Sequence, residues 1–379
     1  MPVDARSAPP LSGSWWKAFP GIALLALCAC ASQPPRPEPP PGPPGDGVAA
    51  TRIPISFTSP EVADAGVDSI TTWLSPEGDT RVIASAKDIG QLFVYDGLSG
   101  ALLQRIGAPG ELAYPNGVAT FGDALLVVER DRGVVQVLSL PEFEPLGSFG
   151  EGRLRAPYGL WLHETAPGEV EVYVTDSYQD AGPEPGHLQV PALERLDQRI
   201  KRFRVRLDEF PVRAWLLDSF GGTTEDSALR YVESIAGDVA FDRLIIAEEH
   251  PDFSRNGALV YSIEGRHQGE TLGAGLFQGD PEGIALYECP SGNGYWIATD
   301  QGDGDLMNRF HIFDRATLDY LGSVGHPELR NTDGIALHPV ASERFPYGVL
   351  YAVHDDRAIA ALDWRDIADA LNLWLDCPE

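Results

Sequence analysis

Basic residues are scarce in this chain: 28 Lys and Arg stand against 56 Asp and Glu in 379 residues, a formal net charge of −28. A surface of that sign repels phosphate backbones and anionic bilayers, which argues against nucleic acid or membrane as the main partner. Cysteine is scarce too, with four residues and no CxxC pair, so neither a zinc ribbon nor a thioredoxin-like motif has support. Helical periodicity is nearly absent, and only residues 364–374 read as a short helix. There is no GxSxG, no P-loop and no HExxH, which removes the usual signatures of serine hydrolases, nucleotide binders and zinc proteases.

Residues 1–30 read as a signal peptide. Arg6 and Lys17 precede an apolar run, 21–29, too short to span a membrane. Leu27-Cys28-Ala29-Cys30 is similar to a bacterial lipobox, with Cys30 as the lipidated residue; a secretory signal without lipid is the alternative. Residues 31–50 are rich in Pro and Gly, cannot bury a core and read as an extended tether. The expected product is an exported, outer-membrane lipoprotein, a monomer touching the membrane only through its anchor. Export also permits a Cys289–Cys377 disulfide; two buried thiols are the alternative.

From residue 51 onward a unit repeats. Six segments place a polar residue before Gly or Ser and an apolar run after it: Asp68-Ser69, Asn116-Gly117, Tyr158-Gly159, Glu233-Ser234, Glu282-Gly283 and Asp333-Gly334. The marker positions lie 48, 42, 75, 49 and 51 residues apart. Four of these intervals match the ~40–50 residues of a four-stranded propeller blade. The long one fits a blade with insertions, which loop-like residues 183–196 and 219–228 supply. A second apolar strand with a polar end follows each marker, as in Leu244-Ile-Ile-Ala-Glu-Glu249 and Tyr295-Trp-Ile-Ala-Thr-Asp300. The expected fold is all-β, a six-bladed β-propeller of four-stranded antiparallel blades over 51–379. Ile53-Pro-Ile-Ser-Phe57 is the expected closing strand.

In such a ring the markers and innermost strand ends crowd around one channel. The polar residues there are Asp68, Lys87, Arg130, Tyr158, Asp176, Glu233, Glu248, Glu249, Asp280, Glu282, Asp300, Gln301, Asp333 and His354. So many carboxylates in one funnel repel each other and raise each other's pKa unless cations bind. Calcium suits a set rich in oxygen ligands and poor in His and Cys. For any single acid before Gly, ordinary turn chemistry is the alternative, and the cations have ordinary surface roles open to them. Recurrence in six units is harder to assign to turns.

The most specific stretches are Asp280-x-Glu-Gly-Ile284, Gln301-Gly302, Ile246-Ala-Glu-Glu249, Asn331-Thr-Asp-Gly-Ile335, Phe345-Pro-Tyr-Gly348 and Asp68-x-x-x-x-Trp73. In these the chain resembles the β-propeller (alkaline, calcium-dependent) phytases, 3-phytase-like. The resemblance implies several Ca²⁺ ions at the top of the propeller and a phosphorylated small-molecule substrate, most simply inositol hexakisphosphate, attacked by metal-bridged water. It implies Asp68, Glu233, Glu249, Asp280, Glu282, Gln301 and Asp333 as metal ligands, and Glu248, beside Glu249 at the same strand end, is expected to join them. Glu233, Asp280 and Glu282 are the implied catalytic set, and Lys87, Arg130 and Tyr158 the implied phosphate contacts. The chain departs from the family at Asp88, where a second Lys is usual, and at Val67-Asp68-Ser69, where one acid of an Asp-Asp-Pro opening is missing. It departs again at Asp176-Ser177-Tyr178, where a Gly-Lys-Glu is usual.

Two other functions compete. Ala156-Pro-Tyr-Gly159 and Val172-Tyr-Val-Thr-Asp-Ser177 resemble NHL repeats, which implies a non-catalytic propeller binding a ligand or protein. A calcium-dependent lactonase-type hydrolase is the third reading, but Asn116 and Asn331 are the only Asn residues at markers.

Overall fold

The computed structural model describes residues 49–184, 186–250, 257–302 and 307–375. The expected signal peptide, lipobox and nearly all of the tether lie outside the described residues. Six four-stranded antiparallel sheets follow one another along the chain. We number them as blades 1 to 6. Their innermost strands are Val67–Leu74, Pro115–Phe121, Pro157–Ala166, Val232–Asp238, Asp280–Glu288 and Ile335–His338. Each innermost strand packs against the next, and the sixth packs against the first, so the ring is closed.

Closure follows from where the apolar residues sit. Every blade buries both faces of its middle strands, as in Val82–Ala84 and Leu125–Val128, all at most 0% exposed. A single sheet has no partner for two apolar faces, and stacking in a ring supplies one for each. The buried side chains accordingly fall into six clusters, one at each blade interface. The cluster joining blade 6 to blade 1 sets Tyr351, Val353 and Ile359 against Val82, Phe93 and Tyr95.

The ring is locked by the start of the chain, one step later than the sequence suggests. Phe57–Thr58 pairs antiparallel with Ala358–Asp363 and completes blade 6. Residues ahead of it serve blade 5 instead: Thr51–Arg52 adds a parallel fifth strand beside Tyr320–Gly325, and Ile53 N–H donates to the Gly325 carbonyl. Blade 3 carries the expected insertion, which holds a two-residue strand pair, Asp180–Ala181 with Leu188–Gln189. The expected second loop begins later, because Ser219 and Phe220 extend the outer strand Arg213–Phe220. A helix, Trp364–Leu371, is capped by the Asp363 carboxylate and ends at left-handed Asn372. Cys289 is buried and disulfide-bonded; Cys377 lies outside the described residues.

The Gly and Ser markers have a common cause. In blades 1 to 5 the ladder between the two innermost strands slips at the marker: between Val67 and Ile70, Pro115 and Val118, Pro157 and Leu160, Val232 and Ile235, and Pro281 and Ile284. These β-bulges turn the preceding polar side chain out of the sheet. They also press each marker against the backbone of the next blade. A Cβ on Gly159 would lie 2.2 Å from the Glu233 carbonyl, and one on Gly334 would lie 2.6 Å from the Asp68 carbonyl. At the four glycine markers, Gly117, Gly159, Gly283 and Gly334, the next blade's backbone leaves no room for a Cβ, and the other two markers are the small residues Ser69 and Ser234.

Candidate active site

The bulges gather Asp68, Tyr158, Glu233, Glu282 and the equivalent Asp333 at one end of the channel. Lys87 lies among them. Its Nζ donates to Asp68 Oδ1 at 2.6 Å, to Asp333 Oδ2 at 3.3 Å and to the Tyr158 hydroxyl at 3.3 Å. Tyr158 in turn donates to Asp68 Oδ1 at 3.2 Å. Gln301 Nε2 donates to Asp333 Oδ1 at 2.5 Å, which leaves the amide oxygen of Gln301 available. One carboxylate oxygen from each of Glu233, Glu249 and Glu282 comes within 4.8 Å of the others. Glu249 Oε1 is buried with no hydrogen-bond donor among the described residues. Asp280 begins the same strand as Glu282, opposite Gln301, and its charge reaches Glu249.

Six acids against one lysine leave this cluster electrostatically unsatisfied. Burial, then repulsion from Asp68, pushes Glu233 up to about 8. The same two causes push Asp333 up to about 7, with Lys87 opposing them. Glu249 and Glu282 are raised well above the carboxylate range, by burial first and then by neighbouring acids. Burial alone would lower the Lys87 ammonium, but Asp68, Asp333 and Glu233 together hold it well above its ordinary value. Burial and the surrounding acids raise Tyr158, keeping it a neutral donor.

The donor set fits a hard cation. All its candidate ligands are oxygens, three converge, one is orphaned, and protons otherwise supply the missing positive charge. Asp356 belongs to the same field although the sequence did not single it out. Its carboxyl is raised by burial, with Lys87, Asp355 and Asp68 acting on it.

Strand ends divide their labour by a two-residue alternation. The acid that ends the second strand straps the loop leading into the first. Asp176 accepts from Ala156 N–H at 2.7 Å, Asp300 from Gly279 N–H at 2.8 Å and Glu129 from Ala113 N–H at 2.8 Å. Glu248 does the same, accepting from Tyr231 and His250 N–H at 3.0 Å and also from Arg230 N–H. Both its oxygens are thus occupied by backbone, and it stands apart from the cluster that Glu249 joins. The sequence expectation put Glu248 among the ligands and Asp176 and Asp300 in the funnel; in the structure all three carboxylates accept from backbone N–H groups. The next residue along, Lys87, Arg130, Ser177, Glu249 or Gln301, is the one facing the mouth. His354 also stands apart, with a ring nitrogen buried and lowered in pKa mainly by that burial.

Beside the cluster lies a pocket of about 550 Å³, with Tyr158 and Glu233 on its wall and Arg130, Arg155, Tyr178 and Tyr231 around it. Arg130 stacks on Tyr114, 3.5 Å from the ring centre, and pairs with Asp131 at 2.9 Å. The expected phosphate contacts therefore split. Lys87 sits inside the acid cluster, Arg130 sits at the pocket's edge, and Tyr158 belongs to both.

A family model described as Phytase matches residues 227–373, the span of blades 4 to 6. This match and the six-bladed ring support the phytase family. The matched span contains Glu233, Glu249, Asp280, Glu282, Gln301 and Asp333; Asp68, Lys87, Arg130 and Tyr158 precede it. Among solved structures, the chain is similar to the hydrazine synthase of Kuenenia stuttgartiensis (14% identity, 82% of this chain and 98% of that one, TM-score 0.47). It is also similar to a chain of a nidogen/laminin complex (14% identity, 73% and 88%, TM-score 0.48) and to a streptogramin B lyase (12% identity, 79% and 95%, TM-score 0.45).

Proposed function

We propose that the chain is a calcium-dependent phosphomonoester hydrolase of the phytase type, acting on inositol hexakisphosphate or a related polyphosphate. The observation that carries this is the convergence of Glu233, Glu249 and Glu282 within 4.8 Å, beside a pocket that also presents arginine. Asp68, Glu233, Glu249, Asp280, Glu282, Gln301 and Asp333 would hold the cations. Bound there, calcium supplies charge neutralisation of a phosphoryl group and acidifies water, which no side chain of the cluster provides.

The chain's own residues set the rest. Without cations, Glu233 is raised by burial and then by Asp68, and Glu282 by burial and then by Asp333 and Glu233, so bound cations would take the place of the protons these carboxyls otherwise hold. Lys87 neutralises Asp68 and Asp333 from inside the cluster and keeps both carboxylates in place. Arg130 donates toward an oxyanion entering from the pocket, and Tyr158 joins it by turning its one hydroxyl proton away from Asp68. The export signal and lipid attachment at Cys30 read from the sequence would put this activity outside the cytoplasm.

The test pairs binding with turnover. Calcium is titrated calorimetrically into wild type, Glu249→Gln and Glu282→Gln, and each protein is assayed on a panel of phosphomonoesters and lactones. The proposal expects both variants to lose at least tenfold in calcium affinity and to lose phosphatase activity. Lactone hydrolysis, or calcium binding with no phosphoester turnover by wild type, would overturn it.

A further inference from the structure

Blade 3 differs from its neighbours at the position that faces the mouth. Lys87, Arg130, Glu249 and Gln301 offer charged or amide groups there, whereas blade 3 has Ser177. Its hydroxyl accepts the Val232 N–H at 3.2 Å. The pocket in front of Ser177 is lined instead by Arg155, from the loop that enters blade 3. The Arg155 guanidinium lies over the Tyr178 ring, 3.2 Å from its centre. The backbone beneath it is pinned by Asp176, which accepts from the N–H groups of Arg155 at 3.2 Å and Ala156 at 2.7 Å. Arg155 is exposed, and among the described residues no carboxylate makes an ion pair with it.

Arg130 is stacked likewise on Tyr114 beside the same pocket, with its Nε paired to Asp131 and its two terminal nitrogens left to face an anion. A guanidinium stacked on a ring keeps its in-plane N–H groups free for a planar or tetrahedral oxyanion, and the ring fixes its orientation. In a chain with a net charge of −28, two oriented arginines beside one pocket form a local exception. We propose that Arg155, seated on Tyr178, is a substrate-phosphate contact that works with Arg130. It supplies from the entry loop the cation that Ser177 does not supply from the strand end. This rests on the phosphohydrolase reading above.

Arg155→Ala and Arg155→Gln are compared with wild type in two measurements. One is calorimetric binding of inositol hexakisphosphate to the calcium-loaded protein, and the other is kcat and KM for phosphate release. Both variants keep the backbone N–H groups that Asp176 holds, and a melting curve checks the fold. The expected result is a rise of about tenfold or more in Kd and KM, with kcat within about twofold. Arg155→Lys should recover only part of the loss, because the stacked fork is gone. Unchanged Kd and KM in both variants would overturn the assignment while leaving the hydrolase reading intact. Should wild type bind the compound without hydrolysing it, the Kd comparison alone decides Arg155, and the hydrolase reading fails separately. Absence of binding by wild type overturns both.

Discussion

Without cations, the carboxylate cluster should make the protein less stable as pH rises, and the size of the effect can be worked out. Burial and repulsion push Glu233 from 4.5 up to about 8 and Asp333 from 3.8 up to about 7. A carboxyl raised in the folded state binds its proton more tightly when folded than when unfolded. Its stabilisation is therefore fully present below the unfolded pKa, near 4, and is lost as pH rises through 7 and 8. The Glu233 shift alone corresponds to about 5 kcal/mol. The two protons are not independent, since each ionisation raises the other group, so about 5 kcal/mol is taken for the pair instead of the sum. For a folded region of this size that is a fall in Tm of roughly 7 °C between pH 5 and pH 8. A bound cation replaces the protons, so calcium should raise Tm much more at pH 8 than at pH 5. The assay is scanning calorimetry in chelator and in calcium at both pH values, for wild type and Asp333→Asn. Asp300 and Glu171, whose carboxyls are lowered, act in the opposite direction but equally in both proteins. The variant should show the flatter pH dependence. Parallel pH profiles for the two chelated proteins would refute the reasoning.

Three further outcomes follow from named contacts. Gly159→Ala puts a methyl 2.2 Å from the Glu233 carbonyl, and urea unfolding should show a loss on the order of 3 kcal/mol. Glu248→Gln turns an acceptor of three backbone N–H groups into a half-donor, and should cost about 2 kcal/mol in urea while calorimetric calcium binding is retained. Arg315→Met strands buried Asp238, which now accepts from the Arg315 Nε at 2.6 Å and from a terminal nitrogen at 2.8 Å; the expected loss is about 3–5 kcal/mol by the same measurement.

The ring was legible in the sequence because its geometry leaves so little choice at one point per blade. Where Gly159 meets Glu233 and Gly334 meets Asp68 there is no room for a side chain, so small residues recur at blade spacing. The outer strands were less legible. Leu102–Ile106 and His267–Leu272 are largely exposed, and their residues carry no apolar pattern to betray them. At the site, Glu248 and Glu249 are adjacent acids on one strand end, and a strand's two-residue period sends them to opposite tasks. That period was readable, but which residue faced the channel depended on bulge register. Asp356 is the second of two consecutive residues whose left-handed backbone the sequence did not announce, Asp355 with φ +53° and Asp356 with φ +54°. Arg155 precedes its blade and was invisible as a partner of Arg130, because only the fold brings a loop before one strand to the mouth beside another blade's strand end.

The central claim is that this acid cluster binds calcium in order to hydrolyse a phosphomonoester. The most direct measurement is phosphate release from inositol hexakisphosphate by the purified protein, with added Ca²⁺, then with excess chelator, then with calcium restored. The account predicts release that appears with calcium, vanishes on chelation and returns. Release undiminished in excess chelator, or none at any calcium concentration in a protein whose Tm calcium raises, would contradict it.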